Sequence, residues 1–157
     1  MTKLKSFTKN RTVNIVLWAF LLNTIWEFTQ CLFFYEMWSW GFLKATLWMW
    51  GAVFGDILIV LGLWQGLKKL IKSTGLLQKT VIKYLLLLAL SFGASIFLEW
   101  MALYLELWTY DTSMLTLYVF NYNIGLAPIL QITFLPVLSV YLAENHQIPF
   151  IKYNNDT

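Results

Sequence analysis

Charge is scarce in this chain. Asp, Glu, Lys and Arg make up 12% of its 157 residues, about half the share a soluble domain carries. That shortage, with 59% hydrophobic residues and a mean hydropathy of +0.64, excludes an ordinary water-soluble fold. Cysteine occurs once, at Cys31, which excludes an intrachain disulfide and a thiolate metal site and leaves Cys31 an apolar filler. Histidine occurs once, at His146, beyond the last apolar run. Phosphate loops, nucleophile elbows and zinc-protease motifs are absent. Low-complexity tracts and interdomain linkers are absent too, and the length fits one domain, residues 1–157. The net charge of +3 comes from Lys and Arg at the ends of apolar runs, so it marks topology and not a nucleic-acid stripe.

What the chain has is long apolar runs. A helical span needs about 20 mostly apolar residues. Four segments qualify: about 13–35, 47–67, 82–105 and 122–143. The first carries Asn23, Glu27 and Gln30, with no small-residue cleavage site after it, so it reads as a span and not a signal peptide. The fold class expected is all-α, an integral membrane four-helix bundle. Lys3, Lys5, Lys9 and Arg11 precede the first span, and Lys68, Lys69, Lys72, Lys79 and Lys83 bracket the middle connection. Lys44 alone lies in the first connection, and the third has no Lys or Arg. Positive residues stay inside, so both termini are expected in the cytoplasm. Trp38, Trp40, Phe42, Trp48 and Trp50, then Trp108, Tyr110, Tyr118, Phe120 and Tyr122, crowd the two outer connections. Such rings prefer the headgroup zone. They form an aromatic belt or, on a sharper reading, a lid over what lies beneath. The tail Asn154–Thr157 is expected to fray.

Three carboxylates, Glu27, Asp56 and Glu99, sit inside these spans. Charges there cost a few kcal/mol on insertion scales and mark function by default. Counted at about 1.5 Å per residue, all three fall between the midplane and the outer leaflet. Asn23, Glu27 and Gln30 follow i, i+4, i+7 spacing, with Trp26 at the border of that face. Ser91, Ser95 and Glu99 share a face of the third span, and Glu106 extends it. Gly51-xxx-Gly55 and Gly62-xxx-Gly66 allow close helix approach, read here as packing within the bundle, with a dimer seam as the alternative. Asn121, Asn123 and Gly125 open the fourth span, followed by Pro128, Gln131 and Pro136. Pro128, one turn from Gln131, would bend the helix there or free a carbonyl. No cation lies at this depth, so at least one of the three acids is expected to hold a proton. The candidate catalytic residues are therefore Glu27, Glu99 and Asp56. The candidate substrate-binding residues are Asn23, Trp26, Gln30, Trp100, Asn123 and Gln131. No cofactor or metal is expected, although Asn and Gln oxygens would complete a cation shell if one were bound.

The ordered set Asn23-x-x-Trp26-Glu27-x-x-Gln30, Gly55-Asp56, Glu99-Trp100 with Trp108-x-Tyr110, and Gly125-Leu126-x-Pro128-x-x-Gln131 resembles a family of small, poorly characterised bacterial four-span inner-membrane proteins. Trp26-Glu27-Phe28 with Phe33-Phe34 is similar to the acidic-aromatic helices of membrane lycopene cyclases and emopamil-binding-protein-like sterol isomerases. That resemblance implies intramembrane acids beside aromatics, acting on isoprenoid lipids. Three functions follow. The first is an isomerase- or cyclase-type acid/base enzyme, or a binding protein, for an apolar lipid. The second is a proton- or cation-coupled transporter, for which the inner half offers a sparse polar trail of Asn14, Gln65, Ser91, Thr133 and Ser139. The third is a non-catalytic assembly subunit whose acids only join helices. The bilayer is the expected partner, nucleic acid is not, and an oligomer stays open.

Overall fold

The computed structural model describes residues 2–35, 39–74, 80–119 and 121–146. The side chains of Lys3, Lys5 and Lys9, with Trp38, Lys79, Phe120 and the tail Asn154–Thr157, lie outside the described residues. The elements are α1 (Thr2–Phe34), α2 (Phe42–Thr74), α3 (Thr80–Tyr104), β1 (Thr116–Val119), β2 (Tyr122–Gly125) and α4 (Leu126–Asn145). All four helices are long and apolar enough to cross a bilayer, over Arg11–Cys31, Phe42–Ser73, Val81–Tyr104 and Leu126–Asn145. The protein is a multi-pass membrane four-helix bundle.

The helices are apolar almost all round, as lipid contact demands. Ile25, Leu58, Phe92 and Phe97 are exposed on outward faces. The inward faces supply a core of Ile15, Ala19, Val53, Val60, Leu67, Leu87 and Val140. Of the α4 span 56% is buried, against 28%, 17% and 17% for the spans of α1, α2 and α3. α4 is therefore the enclosed helix, and a polar residue on it meets protein and not lipid. α4 packs against α1 and α3, while α2 closes the bundle.

Toward the end of the bundle where α1 begins and α4 ends, one ion cluster ties three helices. Glu144 on α4 takes Arg11 of α1 as one partner and Lys83 of α3 as another, at 2.5 and 2.8 Å. The Tyr84 hydroxyl donates to the same carboxylate at 2.7 Å. Arg11 lies 4.7 Å above the Trp64 ring of α2, which brings in the fourth helix.

At the opposite end the fourth span begins later than the hydropathy suggests. Thr116–Val119 and Tyr122–Gly125 pair as antiparallel strands, with Thr116 opposite Gly125 and Val119 opposite Tyr122. Asn121 turns the hairpin at φ 68, a left-handed conformation that Asn tolerates. The strand Tyr122-Asn-Ile-Gly125 is apolar enough to read as helix, but its backbone amides pair across the hairpin. Asn121, Asn123 and Gly125 are thus not on the fourth span. Pro128 is a further correction. It occupies the first turn of α4, where a helix has no N–H bond to lose, so it frees no carbonyl beside Gln131.

The hairpin is reached through a connection docked on α1. The N–H of Asp111 donates to Phe34 O at 3.0 Å and Ser113 Oγ to Phe33 O at 2.6 Å. These bonds satisfy carbonyls that the end of a helix leaves open. Tyr35 and Tyr110 pair as an isolated bridge. The connection therefore folds inward over the ends of α1 and α3.

Candidate functional site

Gln131 is the hub. Its Nε2 donates to Glu27 Oε1 at 2.6 Å, Asp56 Oδ2 at 2.6 Å and Asn23 Oδ1 at 3.1 Å. Its Oε1 accepts from Gln30 Nε2 at 2.8 Å. Gln30 Nε2 also donates to Glu27 Oε1 at 2.6 Å, and the Trp26 indole donates to Gln30 Oε1 at 2.9 Å. Side chains from α1, α2 and α4 thus converge on one amide. The i, i+4, i+7 face of α1 makes this happen: Asn23, Glu27 and Gln30 are all buried and turned to α4. Cys31, one turn beyond Glu27, lies with Sγ 3.7 Å from Glu27 Oε2. It is a neighbour of the acid and not only an apolar filler, as its i+4 position relative to Glu27 could have signalled.

Glu27 and Asp56 thus meet at the same amide nitrogen. An amide nitrogen carries two hydrogens, yet Gln131 Nε2 faces three acceptors. The three acceptors therefore share two hydrogens, and the arrangement is two carboxyl side chains, one from α1 and one from α2, held against a single neutral amide.

Glu99 stands apart. It is 3% exposed, and its hydrogen bond comes from the Tyr110 hydroxyl, not from Gln131. It still lies within electrostatic range of Glu27 and Asp56. The three acids form a pair plus a satellite, and among the described residues no three acid, His or Cys side chains group as a metal set. Tyr110 was not a candidate from sequence, because its place depends on how the outer connection folds. Burial pushes its phenol well above the ordinary tyrosine range, and the charge of Glu99 adds to that. Tyr35, against it with ring centroids 5.6 Å apart, is raised for the same reasons in the same order. The Trp108 Nε1 is buried without a hydrogen-bond partner and lies near Glu99 and Tyr110.

Comparison with family models, curated proteins and solved structures finds no match. The reading rests on geometry alone.

Two candidates fall elsewhere. Asn123 is exposed on β2, opposite Tyr118, away from the acids, because the hairpin replaces the first helical turns expected there. Trp100 turns to the other side of α3. It stacks on Tyr104 at 5.7 Å, meets Tyr122 edge-on at 6.5 Å, and lines a groove of about 820 Å³ with Gly93, Phe97 and Asn121. Another cleft, about 440 Å³, lies between α2 and the outer connection, lined by Lys44, Leu47, Trp48, Gly51, Ala52 and Trp108. Of its lining residues, Ala52 is one turn from Asp56 along α2 and Trp108 lies near Glu99. The close helix contacts expected at Gly51, Gly55, Gly62 and Gly66 do not occur: a methyl group at any of them would meet nothing within 4 Å. These glycines face outward, and α2 approaches its neighbours through Val53, Ile57, Val60 and Trp64 instead.

Proposed function

We propose that this chain is a membrane-embedded acid/base protein for an apolar, isoprenoid-like lipid, in the bacterial inner membrane with both termini cytoplasmic. One observation carries the reading: Glu27 and Asp56, from different helices, bind the same Gln131 amide, with Asp56 one turn along α2 from Ala52 of an aromatic cleft. A carboxylic acid held next to a carboxylate can give a proton and take one back. Given to an alkene carbon, the proton forms a C–H bond with the π electrons and leaves a carbocation. Loss of a proton from a neighbouring carbon to the carboxylate restores a double bond, shifted along the chain. Atoms and charge balance without a co-reactant. Trp48 and Trp108 line the cleft, and their ring faces would stabilise the cation. Trp26, tied to Gln30, orients the amide instead. Glu99, capped by the Tyr110 hydroxyl, stands apart from the Glu27–Asp56 pair. The orientation is supported by Arg11, Lys68, Lys69, Lys72 and Lys83 at the end where α1 begins and α4 ends, against Lys44 at the other.

Solvent isotope tests this. The purified full chain, incubated in D2O with a polyprenyl lipid, should place deuterium on the lipid, read by mass spectrometry. Glu27→Gln and Asp56→Asn should each slow incorporation by about 100-fold or more, the usual scale of general acid–base catalysis. Folded variants that incorporate deuterium at the wild-type rate would refute the assignment, and so would a wild type that incorporates none from any polyprenyl lipid tried.

A further inference from the structure

Several polar side chains in the half of the bundle where α1 begins and α4 ends have no role in the site described above. Ser91 and Ser139 are both 0% exposed and Asn14 is 5% exposed. Ser91 Oγ, Ser139 Oγ and Asn14 Oδ1 each lack a hydrogen-bond partner. Serine in a membrane helix ordinarily bonds a carbonyl one turn back, and a buried orphan in lipid is costly. Three such groups on three different helices, all turned inward, need a common explanation. Buried water that bonds otherwise unpaired groups supplies one.

Their heights form a ladder. Arg11, Lys83 and Glu144 meet at one level, which sets a zero for α1, α3 and α4. At about 1.5 Å per residue, Asn14 stands about 4.5 Å above it, Ser139 about 7.5 Å, Ser91 about 12 Å, Thr133 about 16 Å and Ser95 about 18 Å. The observed approach of Ser95 Oγ to Thr133 Oγ1, 3.4 Å, agrees with the last two heights. Asn23 and Gln131 follow at about 18 and 20 Å, then Glu27 at about 24 Å. The rise between successive levels is at most about 5 Å, and buried waters bonded to these groups would bridge both the levels and the spaces between helices. Gln65, part of the polar trail expected from sequence, is exposed on α2 and lies off the line.

We propose that Asn14, Ser139, Ser91 and the Ser95–Thr133 pair line a hydrated proton route from the Arg11–Glu144–Lys83 cluster to the Glu27–Asp56 pair. The route delivers protons, as hydrogen-bonded water, from the end where α1 begins and α4 ends. It stands whatever the acid pair acts on. The titratable groups near Glu27 are Cys31 of α1, Tyr35 just beyond it, Asp56 of α2 and Glu99 of α3, with Tyr110 of the outer connection bonded to Glu99, while α4 presents the neutral Gln131. At the entrance stand Arg11, Lys83, Tyr84 and Glu144. The opposite end is closed over by Tyr110, which occupies Glu99.

Infrared spectroscopy of the full chain in lipid nanodiscs tests the route. At acidic pH the carboxyl C=O band is assigned by its loss in Asp56→Asn and Glu27→Gln, and its shift is followed after transfer to D2O. The wild-type band should be exchanged in the first spectrum. Ser91→Leu with Ser139→Leu should slow exchange tenfold or more, and Tyr110→Phe should leave it unchanged. Unchanged exchange in the folded leucine double variant overturns the proposal, and so does slowing by Tyr110→Phe, which would place the route at the hairpin end. If the leucine variant does not fold, radiolytic labelling of the wild type decides. Water beside the route should label Leu87 and Val140, 0% and 1% exposed, and absence of label there overturns it.

Discussion

Gly125 determines where Tyr110 can lie. A Cβ at this position would stand 2.9 Å from the Tyr110 Cζ and 3.1 Å from its hydroxyl oxygen. Its backbone, φ −67 and ψ 132, suits any residue, so alanine would act only through the clash. Gly125→Ala should therefore push the ring off Glu99 and lower stability by about 1–3 kcal/mol, the cost of leaving a buried acceptor unpaired. Thermal unfolding in detergent measures the loss. The phenol reports the geometry: its titration, raised in the wild type by burial and then by Glu99, should fall toward the ordinary tyrosine range. In a Tyr110→Ala background Gly125→Ala should have little effect. An equal loss in both backgrounds would show that the glycine serves something other than Tyr110.

At the scale of elements, the docked connection between α3 and β1 has its own pH dependence. The Asp111 carboxylate accepts the Ser113 N–H at 2.9 Å, and this bonding holds it below the usual carboxylate range. A lowered folded value means that the turn is fully stabilised above the unfolded value, about pH 4, and loses that support as pH falls through the folded one. Hydrogen exchange at Met114, whose N–H is bonded to Asp111 O at 3.0 Å, should be protected equally at pH 7 and pH 5, after correction for intrinsic rates, and lose protection below about pH 4. Asp111→Asn should remove the step, and loss of protection between pH 7 and 5 would contradict this account. The sequence reveals less here than in the spans. Twenty-residue apolar runs leave helix as the only structure that satisfies their backbone in lipid, so α1 to α3 can be located from composition. The face of Asn23, Glu27 and Gln30 can be found from helical spacing alone. The hairpin cannot, because Tyr122–Gly125 is as apolar as the span it precedes and its pairing depends on a turn at Asn121. Tyr110 and Cys31 escape for related reasons. Tyr110 reaches its acid through the path of a loop, and Cys31 resembles any small apolar residue until Glu27 is placed beside it.

For the whole molecule, the two ends of the bundle are tied differently. Toward the end where α1 begins and α4 ends, charges join α1, α3 and α4 through Glu144. In the half toward the hairpin, neutral amides join α1, α2 and α4 through Gln131. Along its length α2 presents Gly51, Gly55, Gly62 and Gly66 to the outside, spaced to share a face, with open space beyond each. In a single chain nothing opposes a methyl group there, and alanine is the better helix former by about 0.5–1 kcal/mol. Gly62→Ala should therefore raise the unfolding midpoint of the detergent-solubilised monomer by about 2–4 °C, and Gly62→Ala with Gly66→Ala by about twice that. Packing of two copies along this stripe would reverse the sign, because close backbone approach is what glycine permits and a methyl group prevents. The midpoint measured across a range of protein-to-detergent ratios separates the cases. A rise independent of concentration fits a bundle complete in one chain, whereas a fall that deepens as the protein is concentrated would show that the open face of α2 is covered by another copy.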